Sequence, residues 1–264
     1  MEAKQNVLTG RIALVTGGGR GIGRAIAAGL ADAGAHVAVL ARSEEELRQT
    51  AKSIGERGGD VLAVPADVTD EGQTGAALTA IQDRWGPVEI LVNNAAVVWP
   101  LGPSALLDAG EWAAALAVNV TAPARLAFTV LPGILRRGWG RIVNVSSGIA
   151  AHPAGMLRAN AYATGKAALE AHTLNLAAEL ANTGVTVNAF RPGGVDTAMQ
   201  AYIRAQDPGR IGADLHGRFV SNHDHGRLLT PERSAASLLS RIAGSDSGQI
   251  WDAEDDISPN EGES

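Results

Sequence analysis

The run Ile12-Ala13-Leu14-Val15-Thr16-Gly17-Gly18-Gly19-Arg20-Gly21-Ile22-Gly23 decides the fold of this 264-residue chain. Its apolar start reads as a buried strand, its glycines as a turn, and the alanine-rich stretch beyond as a helix. Glycine takes positive φ freely and brings the backbone close to a ligand with no Cβ between them, and the first N–H groups of a helix have no partner within it. A pyrophosphate fits there, drawn by those donors and by the positive end of the helix dipole. The strict dinucleotide fingerprint wants glycines at i, i+2 and i+5; this chain has the longer Thr-Gly-x-x-x-Gly-x-Gly. Taken alone, the segment also reads as a glycine turn without a ligand.

The same rhythm continues outward. Apolar runs at 12–15, 36–40, 61–64, 90–92, 142–145 and 185–189 alternate with helical patterns at 23–33, 43–57, 71–85, 109–135, 161–181 and 231–243. That alternation predicts an α/β, single-domain, doubly wound Rossmann fold: a mostly parallel seven-stranded sheet flanked by helices, its last short strand near 249–251. The catalytic domain is expected over 1–251 and a flexible acidic tail over 252–264, where Ser, Gly, Pro and acids dominate.

With 45% hydrophobic residues, the chain buries a core as one domain. It has no Cys, which excludes disulfides, thiolate metal sites and a cysteine nucleophile. A net charge of −6 and the lack of a basic stripe argue against nucleic acid or an anionic membrane as partner. Residues 1–9 are polar, and no apolar run is expected to reach the length that spans a bilayer, so a cytoplasmic protein is expected.

Six further motifs follow in order: Asp67-Val68, Asn93-Asn94-Ala95-Ala96, Asn119, Ser146-Ser147, Tyr162-x-x-x-Lys166 and Arg191-Pro192-Gly193-Gly194-Val195-Asp196-Thr197. Together with the glycine turn, they make the chain resemble the classical short-chain dehydrogenase/reductase family from about residue 10 to 250, and within it the 3-oxoacyl-acyl-carrier-protein reductase branch. The resemblance implies an NADP(H)-dependent oxidoreductase that interconverts a ketone and a secondary alcohol.

At the end of the second strand, NAD enzymes place an acid against the adenosine ribose. Here that position is Ala41, followed by Arg42 and Ser43, and Arg20 lies in the glycine turn. Two guanidinium groups suit a 2′-phosphate, which favours NADP(H), although Arg42 also suits a helix cap and Arg20 a solvated surface. The resemblance implies that Asp67 and Val68 hold the adenine. It implies cofactor contacts as well from Gly17, Gly19, Gly21, Ile22, Gly23, Asn94, Tyr162, Lys166, Pro192, Gly193, Val195 and Thr197. Asp67 reads equally as a helix cap.

Lys166 lies one helical turn from Tyr162 on the same face. An ammonium beside a phenol, with the positive ring of an oxidised nicotinamide, favours the phenolate and makes Tyr162 a workable general acid or base. The resemblance implies that Ser147 bonds the substrate oxygen, that Lys166 holds the nicotinamide ribose, and that Asn119 positions a water next to Lys166. Asn119 also suits a plain bond to neighbouring backbone. No metal site is expected: His216, His223, Asp224 and His225 read as a solvated loop.

Two features depart from the family pattern. Ser147 and Tyr162 stand fifteen positions apart, two more than the commonest form, which leaves Ser146 as an alternative to Ser147. Ala96 stands where glycine is usual. The expected substrate walls, 97–99, 149–156 and 193–202, are mainly apolar and favour a hydrophobic ketone or alcohol, with His152, Arg158 and Asp196 as candidate polar contacts. Arg136 and Arg137 would dock an acidic carrier or simply end a helix favourably. A homotetramer is expected from the family's use of the helices at 109–135 and 161–181. A non-catalytic NADP(H) sensor stays in view, while a methyltransferase is disfavoured by Tyr162 and Lys166.

Overall fold

The computed structural model describes residues 8–256. Seven strands, β1 (Ile12–Thr16), β2 (His36–Ala41), β3 (Val61–Pro65), β4 (Ile90–Asn93), β5 (Gly140–Val145), β6 (Val185–Arg191) and β7 (Ile250–Asp252), form one sheet in the order β3-β2-β1-β4-β5-β6-β7. Every neighbouring pair is parallel. The helices are α1 (Gly21–Asp32), α2 (Glu44–Gly55), α3 (Glu71–Arg84), α4 (Ala109–Leu116), α5 (Ala122–Arg137), α6 (Asn160–Glu179), α7 (Ala198–Arg204), α8 (Pro208–Ile211), α9 (Ala213–Asp224) and α10 (Pro231–Ile242).

Alternation along β1 divides the core. Ala13 and Val15 join α1, α2 and α10 on one face, whereas Ile12 and Leu14 join α3, α5 and α6 on the other. Because both faces are covered, the strand is apolar throughout instead of alternating apolar with polar. Helix starts follow capping chemistry: Ser43, Asp70, Asp108 and Thr230 accept from the backbone N–H three residues on. Strand order reverses between β1 and β4, which opens a crevice at their carboxyl ends.

Four expectations need correction. The helix read over 109–135 is α4 and α5 joined by a π turn, Ala117–Thr121, that centres on Asn119. That continuous helix, Ala109–Arg137, is also long and apolar enough to cross a bilayer by length and composition, because the turn joins two shorter runs. Its inner face, including Leu126, Ala127 and Ile134, packs in the core. Residues 198–224 hold three helices where strand and helix patterns were silent, and the expected loop at His216 to Asp224 is α9. Residues 252–256 of the expected tail finish β7 and form the turn Ala253–Asp256, with Ala253 buried; 257–264 lie outside the described residues.

Candidate active site

A cleft of about 530 Å³ opens at the reversal point. Gly17 and Gly21 hold φ values of 65° and 53°, and a Cβ on Gly23 would stand 2.3 Å from the Gly17 carbonyl oxygen. These positions demand glycine. Arg20, at the N-cap of α1, provides no side-chain cap, so the first N–H groups of the helix face the cleft with no side chain bound to them. Asn94 donates its side-chain amide to the Thr16 and Gly17 carbonyls at 3.0 and 3.2 Å, while Thr16 Oγ1 accepts from the Asn94 and Ala95 N–H groups. The loop after β4 is thereby tied to the glycine turn. The cradle suits a dinucleotide pyrophosphate in both shape and donors.

The adenosine end is built from Ala41, Arg42, Ser43, Asp67 and Val68, all on the wall of this cleft. Ser43 Oγ caps α2, so Arg42 is not the cap. Asp67 is not a helix cap either: Asp70 caps α3, and Asp67 folds back onto Thr69 N–H and Oγ1. Those bonds hold its carboxyl below the ordinary range, with a smaller contribution from Arg42. The reading of two arginines without an acid needs correction, because Glu46 Oε1 accepts from Arg20 Nη1 at 3.0 Å and lines the same cleft.

At the other end, Tyr162 and Lys166 stand on α6 facing the ends of β5 and β6. Both are buried. Tyr162 and Ser147 line the cleft together, and the Lys166 ammonium lies 5.8 Å from the phenol ring centre while donating to the Val145 carbonyl at 2.6 Å. Both serines line the cleft, but the Ser146 hydroxyl is committed to Glu170, to which it donates at 2.7 Å, and this favours Ser147 as the serine that meets a substrate despite the longer spacing. Burial pushes the phenol above its ordinary value, more than the nearby Ser147 hydroxyl lowers it; the expected lowering is not produced by this chain's own groups. Burial likewise brings Lys166 down to about 8, opposed by the charge of Glu170.

Pro192, Gly193, Val195 and Thr197, following β6, complete the wall beside Ile22 and Gly19. Asn119 is buried next to it, both amide atoms engaged on Val97: Oδ1 accepts from the N–H at 2.9 Å and Nδ2 donates to the carbonyl at 2.8 Å. Its side chain is therefore the backbone clamp that sequence reading kept open, not a free perch for water.

This geometry can be set beside known proteins. Residues 11–208 match the model of the short chain dehydrogenase family. The chain belongs to that family. It is 39% identical over 204 residues to a short chain dehydrogenase of Pseudocercospora fijiensis, an alignment covering 76% of this chain and 64% of that longer protein. It is 35% identical to the 3-oxoacyl-(acyl-carrier-protein) reductase FabG of Vibrio harveyi, covering 88% of this chain and 89% of the relative. A variant of actinorhodin polyketide ketoreductase solved with NADPH superposes with a TM-score of 0.81 at 33% identity, covering 92% of this chain and 95% of that one. The protein is thus an oxidoreductase of the short-chain family, resembling its 3-oxoacyl reductase branch.

The substrate side is where sequence reading fell short. Val97, Trp99, Met156, Met199 and Gln200 line it as expected, but Ile203 stands just past the expected wall and Phe219 comes from α9, whose amphipathic spacing was the overlooked signal. The longer loop after Ser147 makes two tight 3₁₀ turns, Gly148–Ala150 and Pro153–Met156, which bury Ile149 and Met156 beneath the cleft. Arg158 is not a substrate contact: at φ 67°, its guanidinium donates to the Gly209 and Arg210 carbonyls at 2.8 and 2.9 Å. Asp196 pairs with Arg204 at 3.8 Å, whereas His152 lines a second hollow of about 380 Å³ that shares Ser147, Met156 and Gly193 with the cleft. His216 bonds the Arg204 carbonyl, His223 bonds Asp224, and His225 bonds Ser221. Arg137 pairs with Glu89 in the last turn of α5.

Proposed function

We propose that the protein is an NADP(H)-dependent carbonyl reductase that acts on hydrophobic ketones, with Tyr162 as general acid. One observation carries the reading: Tyr162, Ser147 and the buried Lys166 ammonium share a cleft with the glycine turn. Arg20 and Arg42 suit the 2′-phosphate, the turn and the open end of α1 suit the pyrophosphate, and Lys166 is placed for the ribose hydroxyls. When bound, the nicotinamide would exchange a hydride with the substrate carbon.

The chain's own groups handle the oxygen. Ser147 donates a hydrogen bond to the carbonyl, polarising it and fixing its position beside Tyr162. Tyr162, protonated at neutral pH as an ordinary phenol is and held so more firmly by burial, delivers its proton to that oxygen as the alkoxide forms. Lys166 supports the phenolate left behind, an interaction strengthened by the low dielectric around it. Asn119 clamps Val97 at the cleft wall, and the resemblance to the family implies that it also positions a water next to Lys166.

Trp99, Met156, Met199, Ile203 and Phe219 favour an apolar body next to the ketone, and the resemblance to 3-oxoacyl reductases makes acyl chains natural members of that class. We further infer a cytoplasmic homotetramer. Phe128, Leu135 and Leu174 stand exposed on α5 and α6 and suit burial against another copy, and a monomer in sedimentation at micromolar concentration would defeat that assembly.

NADPH oxidation across a ketone panel, with wild type and Tyr162→Phe, tests the chemistry. Loss of the general acid should lower kcat by about 10³-fold while NADPH affinity holds. NADPH binding without turnover of any ketone would favour a sensor instead.

A further inference from the structure

Ser43-Glu44-Glu45-Glu46 reads as a capping box, in which the fourth residue's carboxyl turns back to the cap residue's own N–H. Only half of it is made. Ser43 Oγ accepts from the Glu46 N–H at 3.3 Å, but the Glu46 carboxylate reaches across to Arg20 at 3.0 Å. Gly19 makes room for this, since a Cβ there would stand 2.9 Å from the Glu46 Cβ. Glu46 is therefore held on the cleft wall with Arg20, Arg42 and Ser43, at the corner where the adenosine ribose would lie.

We propose that Glu46 limits cofactor selectivity: by engaging Arg20, it lowers the preference for NADP(H) over NAD(H) below what the two arginines would otherwise set. The inference rests on the NADP(H) reading above. A 2′-phosphate carries nearly two negative charges and must draw Arg20 away from a carboxylate already bound to it. The two anions then share one guanidinium. A ribose 2′-hydroxyl makes no such demand, because it can donate to Glu46 directly. Arg42, which makes no ion pair among the described residues, is left as the cation that the phosphate meets without a salt bridge to break.

The experiment measures NADPH and NADH dissociation constants by fluorescence for wild type, Glu46→Gln, Arg20→Ala and the double variant. Glutamine keeps the helix start and an acceptor for the ribose, so Glu46→Gln should tighten NADPH by about 3- to 10-fold and alter NADH by less than about twofold, in the range of an exposed ion pair. With Arg20→Ala in place, the same substitution should change NADPH affinity by less than about twofold. Unchanged NADPH affinity in Glu46→Gln, an equal gain for NADH, or a full gain without Arg20 would each overturn the proposal. If the wild type and all variants failed to bind NADPH, the NADP(H) reading itself would fall, an outcome distinct from NADPH binding that ignores residue 46.

Discussion

The glycine turn after β1 and the helical lobe between β6 and α10 face each other across one cleft, yet different rules build them. In the turn, the backbone carries the constraint: positive φ at Gly17 and Gly21, and no space for a Cβ at Gly23. In the lobe, side chains carry it. Ile203, Ile211 and Leu215 pack on Val98, Leu101 and Met156, and many apolar side chains of similar volume would satisfy that cluster. The comparison teaches that the cofactor half tolerates little change, whereas the substrate half is open to it.

Tyr162→Phe, with its expected loss of about 10³-fold in kcat, belongs to neither half and sets the scale against which both are read. The sharpest way to break the contrast is Gly23→Ala. Its methyl would press on the Gly17 carbonyl and the Asn94 amide, which stands 2.4 Å from the added atom, so NADPH affinity should fall by about 100-fold as the turn shifts. Titration with NADPH reads this, and near-normal binding would mean that the turn is softer than argued. Phe219→Ala probes the other half: KM for bulky aryl ketones should rise about tenfold with NADPH affinity unchanged, as expected from the loss of one buried aromatic contact.

The smallest expected effects are those of pH. Lys166 has its value lowered to about 8 in the folded protein, against 10.5 for an ordinary lysine. Below both values the buried charge costs stability, and between them the unfolded chain binds more protons, so that stability rises with pH across this window. Thermal melts from pH 8 to 10 should show wild type gaining relative to Lys166→Met. Over the same range, kcat/KM for reduction should fall above about pH 8, as the ammonium beside Tyr162 is lost.

This division also explains what could be read from the chain. The turn and the pair Tyr162 and Lys166 were legible because each depends on one residue type at one local spacing, whereas the caps were sought at Arg42 and Asp67 and stand at Ser43 and Asp70. Glu170 was not legible. It ties Ser146 to Arg191 through bonds of 2.7 to 2.9 Å, and its partners come from strand ends distant in sequence. Phe219 and Glu46 were missed for a related reason: their helical spacing suits any packed or solvated face, and only the fold brings them to the cleft. Ser147 shows the reverse case, since its spacing to Tyr162 was irregular but its place at the end of β5 was local and clear.

Arg158 has a consequence for modularity. It hangs α8 from the body of the molecule by donating to two main-chain carbonyls, and Gly102 N–H in turn donates to the Arg158 carbonyl at 2.8 Å. A joint made to carbonyl oxygens does not depend on the side chains that the hung segment carries. Met199 and Phe219, which take part neither in this joint nor in the Arg210 bond to the Leu101 carbonyl, can therefore be varied while the tie stays the same, which makes this face of the enzyme a natural site for selecting new ketone preferences on an unaltered cofactor platform.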